Sequence, residues 1–316
     1  SHLFLLQMNL FSNVWGINIF RNFYLLVSTI CRIIGLVGRY SEVKDYYAEL
    51  IRGIVGASEY DPYSVRAFGP EDFSHRDGWG RFSLFVGLGN RIASYMYKSL
   101  SPIFVDKPKE FISKTDLFDL ADLMILEFIH ARAASSGMPI NFFSVQPFEV
   151  ITRNGSRLIL VHNGSIYKEK LASEIETRLS EEAIKKYSDS YILALKLAES
   201  IEREFDPSIL AQFKDYVKTA LNLGIILISD DHIVKVFGSY YRKDLPKEYQ
   251  DYYRMYMVTL GSENIMYASS TLIDFVEYKP KSISQWKEIQ NGTYYFVRID
   301  LSKIKDIHVY TEKYLI

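Results

Sequence analysis

Cys31-Arg32-Ile33-Ile34-Gly35 holds the only cysteine of this 316-residue chain. Read outward, Cys31 to Gly38 is an apolar run with Gly35 and Gly38 inside it, the pattern of a buried strand. Taken alone, a lone cysteine reads as a small buried core residue. One cysteine also excludes an intrachain disulfide framework and fits a reducing compartment, which we take to be the cytoplasm. Lys plus Arg number 37 and Asp plus Glu 38, so no whole-chain field argues for nucleic acid or an anionic membrane. The length suffices for a substantial core in one large domain or two ordinary ones.

Upstream of Cys31, the segment Ser1 to Ile30 is rich in Leu, Phe and Ile, with Arg21 as its one Lys or Arg and no acidic residue. A membrane helix needs about 20 predominantly apolar residues, and Arg21 falls inside the only window that long. The Ser-His-Leu start lacks the basic opening of a secretory signal, and Ile30 is too bulky for a lipoprotein cleavage site. No membrane span is expected. The segment reads as a removable propeptide, a mis-set translation start, or an extension folded onto the rest.

Downstream, Glu42 to Gly56 has helical apolar spacing, while Ser58 to Phe73, broken by Pro62, Gly69 and Pro70, reads as an irregular loop. Phe82 to Val86 and Ala93 to Tyr97 read as strands. Asp116 to Met124 reads as a helix with Asp116 at its N-cap, and Ile125 to Ala133 as a strand. Phe148 to Thr152, Asn154-Gly155 and Arg157 to His162 form the strongest hairpin signal. Leu171 to Leu179, Glu181 to Glu204 and Pro207 to Leu221 read as helices. Gly224 to Ser229 and Ile233 to Phe237 form a second hairpin, followed by strands at Met255 to Leu260, Ile265 to Ser269 and Gly292 to Ile299. With no repeat or linker, this is an α+β chain of mostly antiparallel sheets, with residues 31–316 as a single domain.

Further short motifs come after Cys31 in order: His75-Arg76-Asp77-Gly78-Trp79-Gly80, His130-Ala131-Arg132, His162-Asn163-Gly164 and Ser188-Asp189-Ser190. Together they resemble the class II glutamine amidotransferases, and most of all small stand-alone members that begin Cys-Arg and carry Asp-Gly-Trp-Gly. The resemblance implies the N-terminal nucleophile hydrolase architecture, a four-layer αββα sandwich of two sheets between helices. It implies Cys31 as the nucleophile, with its own α-amine as base. That amine titrates near ~7.7–8 only when free, which favours the first two readings of residues 1–30.

The resemblance further assigns Asn163 and Gly164 to an oxyanion hole, Arg132 to a substrate α-carboxylate and Asp189 to the α-ammonium. Each has a plainer reading: a hairpin end for Asn163-Gly164, a strand-end ion pair for Arg132, and a helix N-cap for Asp189. Asp77, Gly78 and Trp79 are expected to shape the wall around the Cys31 amine, with His130 in support. Gln146-Pro147-Phe148 after Ser144 stands where the family often shows Asn-x-His-Pro-Phe, so contacts there stay open. His75, His130 and His162 lack metal-ligand spacing, so neither metal nor cofactor is expected. Gly87-Leu88-Gly89-Asn90 lacks the rest of a dinucleotide fingerprint.

The implied reaction is hydrolysis of a γ-glutamyl amide, glutamine or a related compound, through a Cys31 thioester. With glutamine as substrate, the released ammonia would pass to an accepting partner protein, whereas another γ-glutamyl compound would release an amine. Two alternatives remain: a Cys–His thiol hydrolase using His130 or His162 as base, and a non-catalytic binding module that keeps the pocket.

Overall fold

The computed structural model describes residues 30–87, 91–106, 123–134, 138, 140–202, 204–261, 263–301 and 309–316. The segment 1–29, the Leu88 to Asn90 stretch and most of the helix expected from Asp116 lie outside the described residues. Met124, expected to close that helix, instead opens a strand.

In chain order the strands are β1 (Ile30–Arg39), β2 (Trp79–Gly87), β3 (Arg91–Ser99), β4 (Met124–Ala133), β5 (Phe148–Ile151) and β6 (Arg157–Asn163). They continue as β7 (Asn222–Ile228), β8 (His232–Ser239), β9 (Met255–Leu260), β10 (Asn264–Ser269), β11 (Lys287–Glu288), β12 (Thr293–Asp300) and β13 (Val309–Leu315). One sheet runs β11-β9-β10-β1-β4-β2-β3 and the other β13-β12-β8-β7-β6-β5. Every pairing between these strands is antiparallel.

Strand alternation sorts the side chains into layers. In β1, Ile33 and Val37 enter the layer between the sheets, where they meet Ile159 and Val161 of β6 and Phe237 of β8. Ile34 and Leu36 point the other way, onto the helix Tyr40–Glu59 through Leu50, Ile51 and Ile54. On the far side, Leu158 and Leu160 of β6 pack against Ile192, Leu193 and Leu197 of the helix Asp189–Ser200. Helix, sheet, sheet and helix are thus stacked in four layers, as expected. One cation crosses the apolar middle: Lys235 of β8 donates to the carbonyls of Leu36 and Glu127 in the opposite sheet. Burial holds its pKa well below the usual lysine value, Glu127 opposing.

Several helix boundaries depart from the periodicity. Glu181 to Glu204 is two helices, Glu181–Lys186 and Asp189–Ser200, because Ser180 and Ser188 each cap a separate start. Leu171 to Leu179 shrinks to the short helix Lys168–Ala172, and Pro207 to Leu221 becomes the 3-10 helix Pro207–Tyr216. The irregular Ser58 to Phe73 contains a helix, Pro62–Phe68, whose N-cap Asp61 accepts the Tyr63 and Ser64 N–H groups. Pro62 at its first turn loses no helical hydrogen bond.

Candidate functional site

Cys31 lies one alternation from Ile33 and so faces the layer between the sheets. Arg132 of β4 is its direct partner in the register. The thiol is fully buried, and burial pushes its pKa up to about 12. Arg132 and the Ala133 backbone N–H act against that rise, Asp189 adds to it, and Arg32 opposes it more weakly. Arg132 is thus beside Cys31 in the sheet, and the negative charge of Asp189, 158 positions away in sequence, also acts on the thiol.

Arg132 is held by the His75–Gly80 segment folding over the end of β4. Asp77 N–H donates to the Arg132 carbonyl at 2.9 Å, and Arg132 N–H to the Gly78 carbonyl at 3.0 Å. The Asp77 carboxylate accepts Ala134 N–H at 2.6 Å. Gly78 makes this turn with φ +100°, and a Cβ there would sit 2.7 Å from the Ser99 carbonyl. Trp79 faces the outer helical layer, its indole N–H on Asp106 at 2.8 Å. Asp77 and Gly78 therefore bracket Arg132, and Trp79 turns away from Cys31.

Asp189 opens its helix but does not cap it; that position belongs to Ser188, whose hydroxyl accepts Tyr191 N–H at 3.1 Å. Asp189 instead reaches inward and accepts Ile166 N–H at 3.0 Å and Ser190 N–H at 2.8 Å. The plainer N-cap reading is thereby corrected.

Asn163 ends β6 on the same face as Ile159 and Val161, which places it in the layer that Cys31 enters, and β1 and β6 are in contact there. Its side-chain nitrogen and oxygen are both buried with no hydrogen-bond partner. A buried amide without protein partners is costly, by about 1–3 kcal/mol. Gly164 comes next with φ +148°, and a Cβ there would lie 2.0 Å from the Ala220 carbonyl. Only glycine fits.

The two histidines of the Cys–His alternative are placed differently. His162 points to the outer layer, with Nε2 on the Ala220 carbonyl at 3.0 Å and Nδ1 on the Ser190 hydroxyl at 2.9 Å. A carbonyl only accepts, so Nε2 carries the proton and Ser190 donates to Nδ1. Burial lowers the His162 pKa, with Asp189 and the Ala220 carbonyl opposing. His130 shares Cys31's face beside Ile33, and burial, then Arg132 and His162, hold it well below the usual histidine value. No hydrogen bond among the described residues joins either ring to Cys31.

Behind β1 lies a buried polar group that the sequence did not announce. Arg32 Nε meets Asp61 at 2.5 Å, Nη1 donates to the Tyr252 carbonyl at 2.9 Å, and the guanidinium lies 3.8 Å above the Tyr252 ring. Asp61 also accepts from His75 and Thr271, each at 2.8 Å, and Tyr252 donates its hydroxyl to the Cys31 carbonyl at 2.9 Å. The one local signal was Asp61-Pro62, a helix-start pair. Gln146 is the second such residue: its amide nitrogen donates to the His162 carbonyl at 3.0 Å and its oxygen accepts His162 N–H at 2.5 Å.

No group of three or more His, Cys, Asp or Glu among the described residues is arranged to hold a metal ion. Nor is any helix among them long and apolar enough to cross a membrane.

No family model matches the chain, and no curated protein matches it. Solved structures do. A structure described as the allosteric regulatory enzyme of purine biosynthesis is similar at 15% identity and TM-score 0.48, covering 90% of this chain and 49% of that one. Glutamine phosphoribosylpyrophosphate amidotransferase from B. subtilis, complexed with ADP and GMP, is similar at 15% identity and TM-score 0.47, with the same two coverages. This chain spans about half the length of each of those two. A glutamine aminotransferase class-II domain protein from Silicibacter pomeroyi is similar at 12% identity and TM-score 0.37, covering 76% of this chain and 100% of that one.

Proposed function

We propose that this chain hydrolyses a γ-glutamyl amide, glutamine or a related compound, as a small stand-alone glutamine amidotransferase of the Cys-Arg type. The observation that carries the reading is the register pairing of Cys31 with Arg132 at an inner layer where the Asn163 amide is buried without a partner, with the charge of Asp189 also acting on the thiol. An amino acid substrate brings a carboxylate and an ammonium, and a guanidinium beside a carboxylate suits both ends. Asn163, with an amide free of other partners, and Gly164 stand as donors to the oxyanion.

Chemically, the Cys31 sulfur forms a bond to the amide carbon while its proton passes to the Cys31 α-amine. The negative charge on the carbonyl oxygen is held by the Asn163 amide and the Gly164 N–H. The resulting ammonium returns the proton to the leaving nitrogen, the C–N bond breaks, and ammonia or an amine departs from a γ-glutamyl thioester. Water, deprotonated by the same amine, then cleaves the thioester to the acid and restores the thiol.

Burial disfavours the thiolate of Cys31 at neutral pH. A neutral α-amine beside it takes the thiol proton, and the ammonium so formed favours the thiolate. The active form therefore begins at Cys31, and residues 1–30 are absent from it. We place it in the cytoplasm, handing ammonia to an accepting protein. The test is release of ammonia from glutamine by protein beginning at Cys31, with each N-terminus read by intact mass. No release from glutamine or any γ-glutamyl amide would leave the binding-module reading in its place.

A further inference from the structure

We infer that Gln146 is a positioning residue for the oxyanion donors, its side chain acting as a one-residue extension of the strand ladder that holds the end of β6. The inference rests on the proposed function and adds to it a residue from outside the reacting groups.

β6 is paired along its whole length with β7 on one side, down to Asn163 opposite Asn222. On its other side the partner is β5, and that ladder stops at Phe148 opposite Leu160. Continuing the same register would set residue 146 opposite His162. The chain cannot simply extend the strand there, because Pro147 has no N–H to donate. Gln146 supplies the pair from its side chain. Its N–H group and carbonyl oxygen meet the His162 carbonyl and N–H at 3.0 and 2.5 Å, the reciprocal pattern of two facing strand residues. Gln146 is 1% exposed, so water does not replace either bond.

The two residues after His162 give this grip its consequence. They are Asn163 and Gly164, and neither Asn163 side-chain atom has a partner to fix it. Gly164 is wedged against Ala220 in a conformation closed to other residues. The direction in which this short segment presents its donors is set by the peptide just before it. That peptide is gripped on the β5 side by Gln146 alone among the described hydrogen bonds. A donor displaced by about 1 Å loses on the order of 10² in rate, so the clamp should be read in kcat.

The experiment uses protein beginning at Cys31 and two variants. Gln146→Met keeps the length and removes both bonds. It should lower kcat by about 10- to 100-fold while KM moves less than about twofold, since Arg132 and Asp189 grip the other end of the substrate. A glutamine analogue with an aldehyde in place of the amide forms a tetrahedral adduct with the thiol, and it should lose affinity by the same factor. Inhibition by glutamate should not change.

Gln146→Glu gives a second, independent reading if Gln146→Met folds poorly. Its acid form offers one O–H donor and one carbonyl acceptor, like the amide, whereas its carboxylate only accepts and faces the His162 carbonyl. The ratio of variant to wild-type kcat should therefore fall as pH rises between about 5 and about 9, through the titration of a buried carboxyl. Wild-type kcat and aldehyde affinity in Gln146→Met, or a flat ratio for Gln146→Glu, would overturn the clamp and leave the proposed function standing. If wild-type protein is itself inert toward γ-glutamyl amides, the proposed function fails and the clamp falls with it.

Discussion

Cys31 and Arg32 are neighbours in β1, and their side chains enter opposite sides of one sheet. On the outer side, polar groups are matched to one another. Arg32 meets Asp61 and the Tyr252 carbonyl, and Asp61 also takes hydrogen bonds from His75, Thr271 and two backbone N–H groups. One guanidinium nitrogen, Nη2, is left over. On the inner side the matching stops: a buried thiol beside Arg132 also feels the charge of Asp189, and a buried asparagine amide has no partner among the described residues. Both sides are equally dry, so solvent does not explain the contrast. The outer cluster ties β1 to its surroundings, and under the proposed function the inner one is completed by the substrate.

The sharpest way to break that division is at its centre. Cys31→Ala should reduce hydrolysis to background and abolish labelling by 6-diazo-5-oxo-norleucine, which should modify wild-type protein at one site by mass. Melting should barely move, because the change removes one sulfur from a dry layer. Hydrolysis surviving in purified Cys31→Ala would end the covalent mechanism. Joined to residues 1–30, Cys31 has an amide nitrogen in place of an amine, and that lone pair is delocalised into the carbonyl. Protein with the Ile30–Cys31 bond intact should therefore be inactive or nearly so. Equal rates from it would move the base to a side chain and revive the Cys–His mechanism.

The sequence disclosed the inner cluster better than the outer. Asn154-Gly155 marked the hairpin whose second strand delivers Asn163, and Gly155 does make the turn with φ +83°. Apolar runs marked β1, β4 and β6, the three strands that carry Cys31, Arg132 and Asn163. Ordered short motifs supplied the rest through family resemblance. The break between Glu181–Lys186 and Asp189–Ser200 was hidden because strong helix formers dominate both stretches and Ser188 was read only within the Ser188-Asp189-Ser190 motif. The Ser188 cap starts the second helix, and Asp189 beside it packs inward on the Ile166 N–H. Arg32–Asp61 spans 29 positions and Gln146–His162 is a side chain replacing a backbone; neither has a periodic signature.

A smaller effect is expected where the inner cluster meets substrate. Arg132→Lys keeps the charge and loses the planar fork, and Asp189→Asn keeps the shape and loses the charge. Each should lower kcat/KM for γ-glutamyl substrates by about 10- to 100-fold, the range of one charge-assisted hydrogen bond. Amides lacking the α-ammonium should be nearly indifferent to Asp189→Asn. If both variants match wild type on every active substrate, the inner charges are structural and the division between the two faces is lost.

The smallest effect on turnover, and the largest on stability, belongs to Asp61→Asn. Burial opposes the Asp61 charge, yet Arg32 and His75 hold its carboxyl below the usual range. A depressed carboxyl contributes stability above its unfolded value, near pH ~4, and that contribution is lost as pH falls through the folded value. Asp61→Asn leaves Arg32 buried without its counter-ion, which should destabilise the fold by about 3–5 kcal/mol at neutral pH. Below pH ~4 wild type should lose stability with falling pH more steeply than the variant, because the variant has no carboxylate there to protonate. Denaturant unfolding across that range measures both effects. Activity per folded molecule should fall less than about tenfold, since Asp61 reaches the reaction only through Arg32 and the strand between them. Parallel pH curves with unchanged stability would show that the outer cluster does not hold β1. A loss of turnover as deep as that of Cys31→Ala, in folded protein, would show that the two faces act as one site.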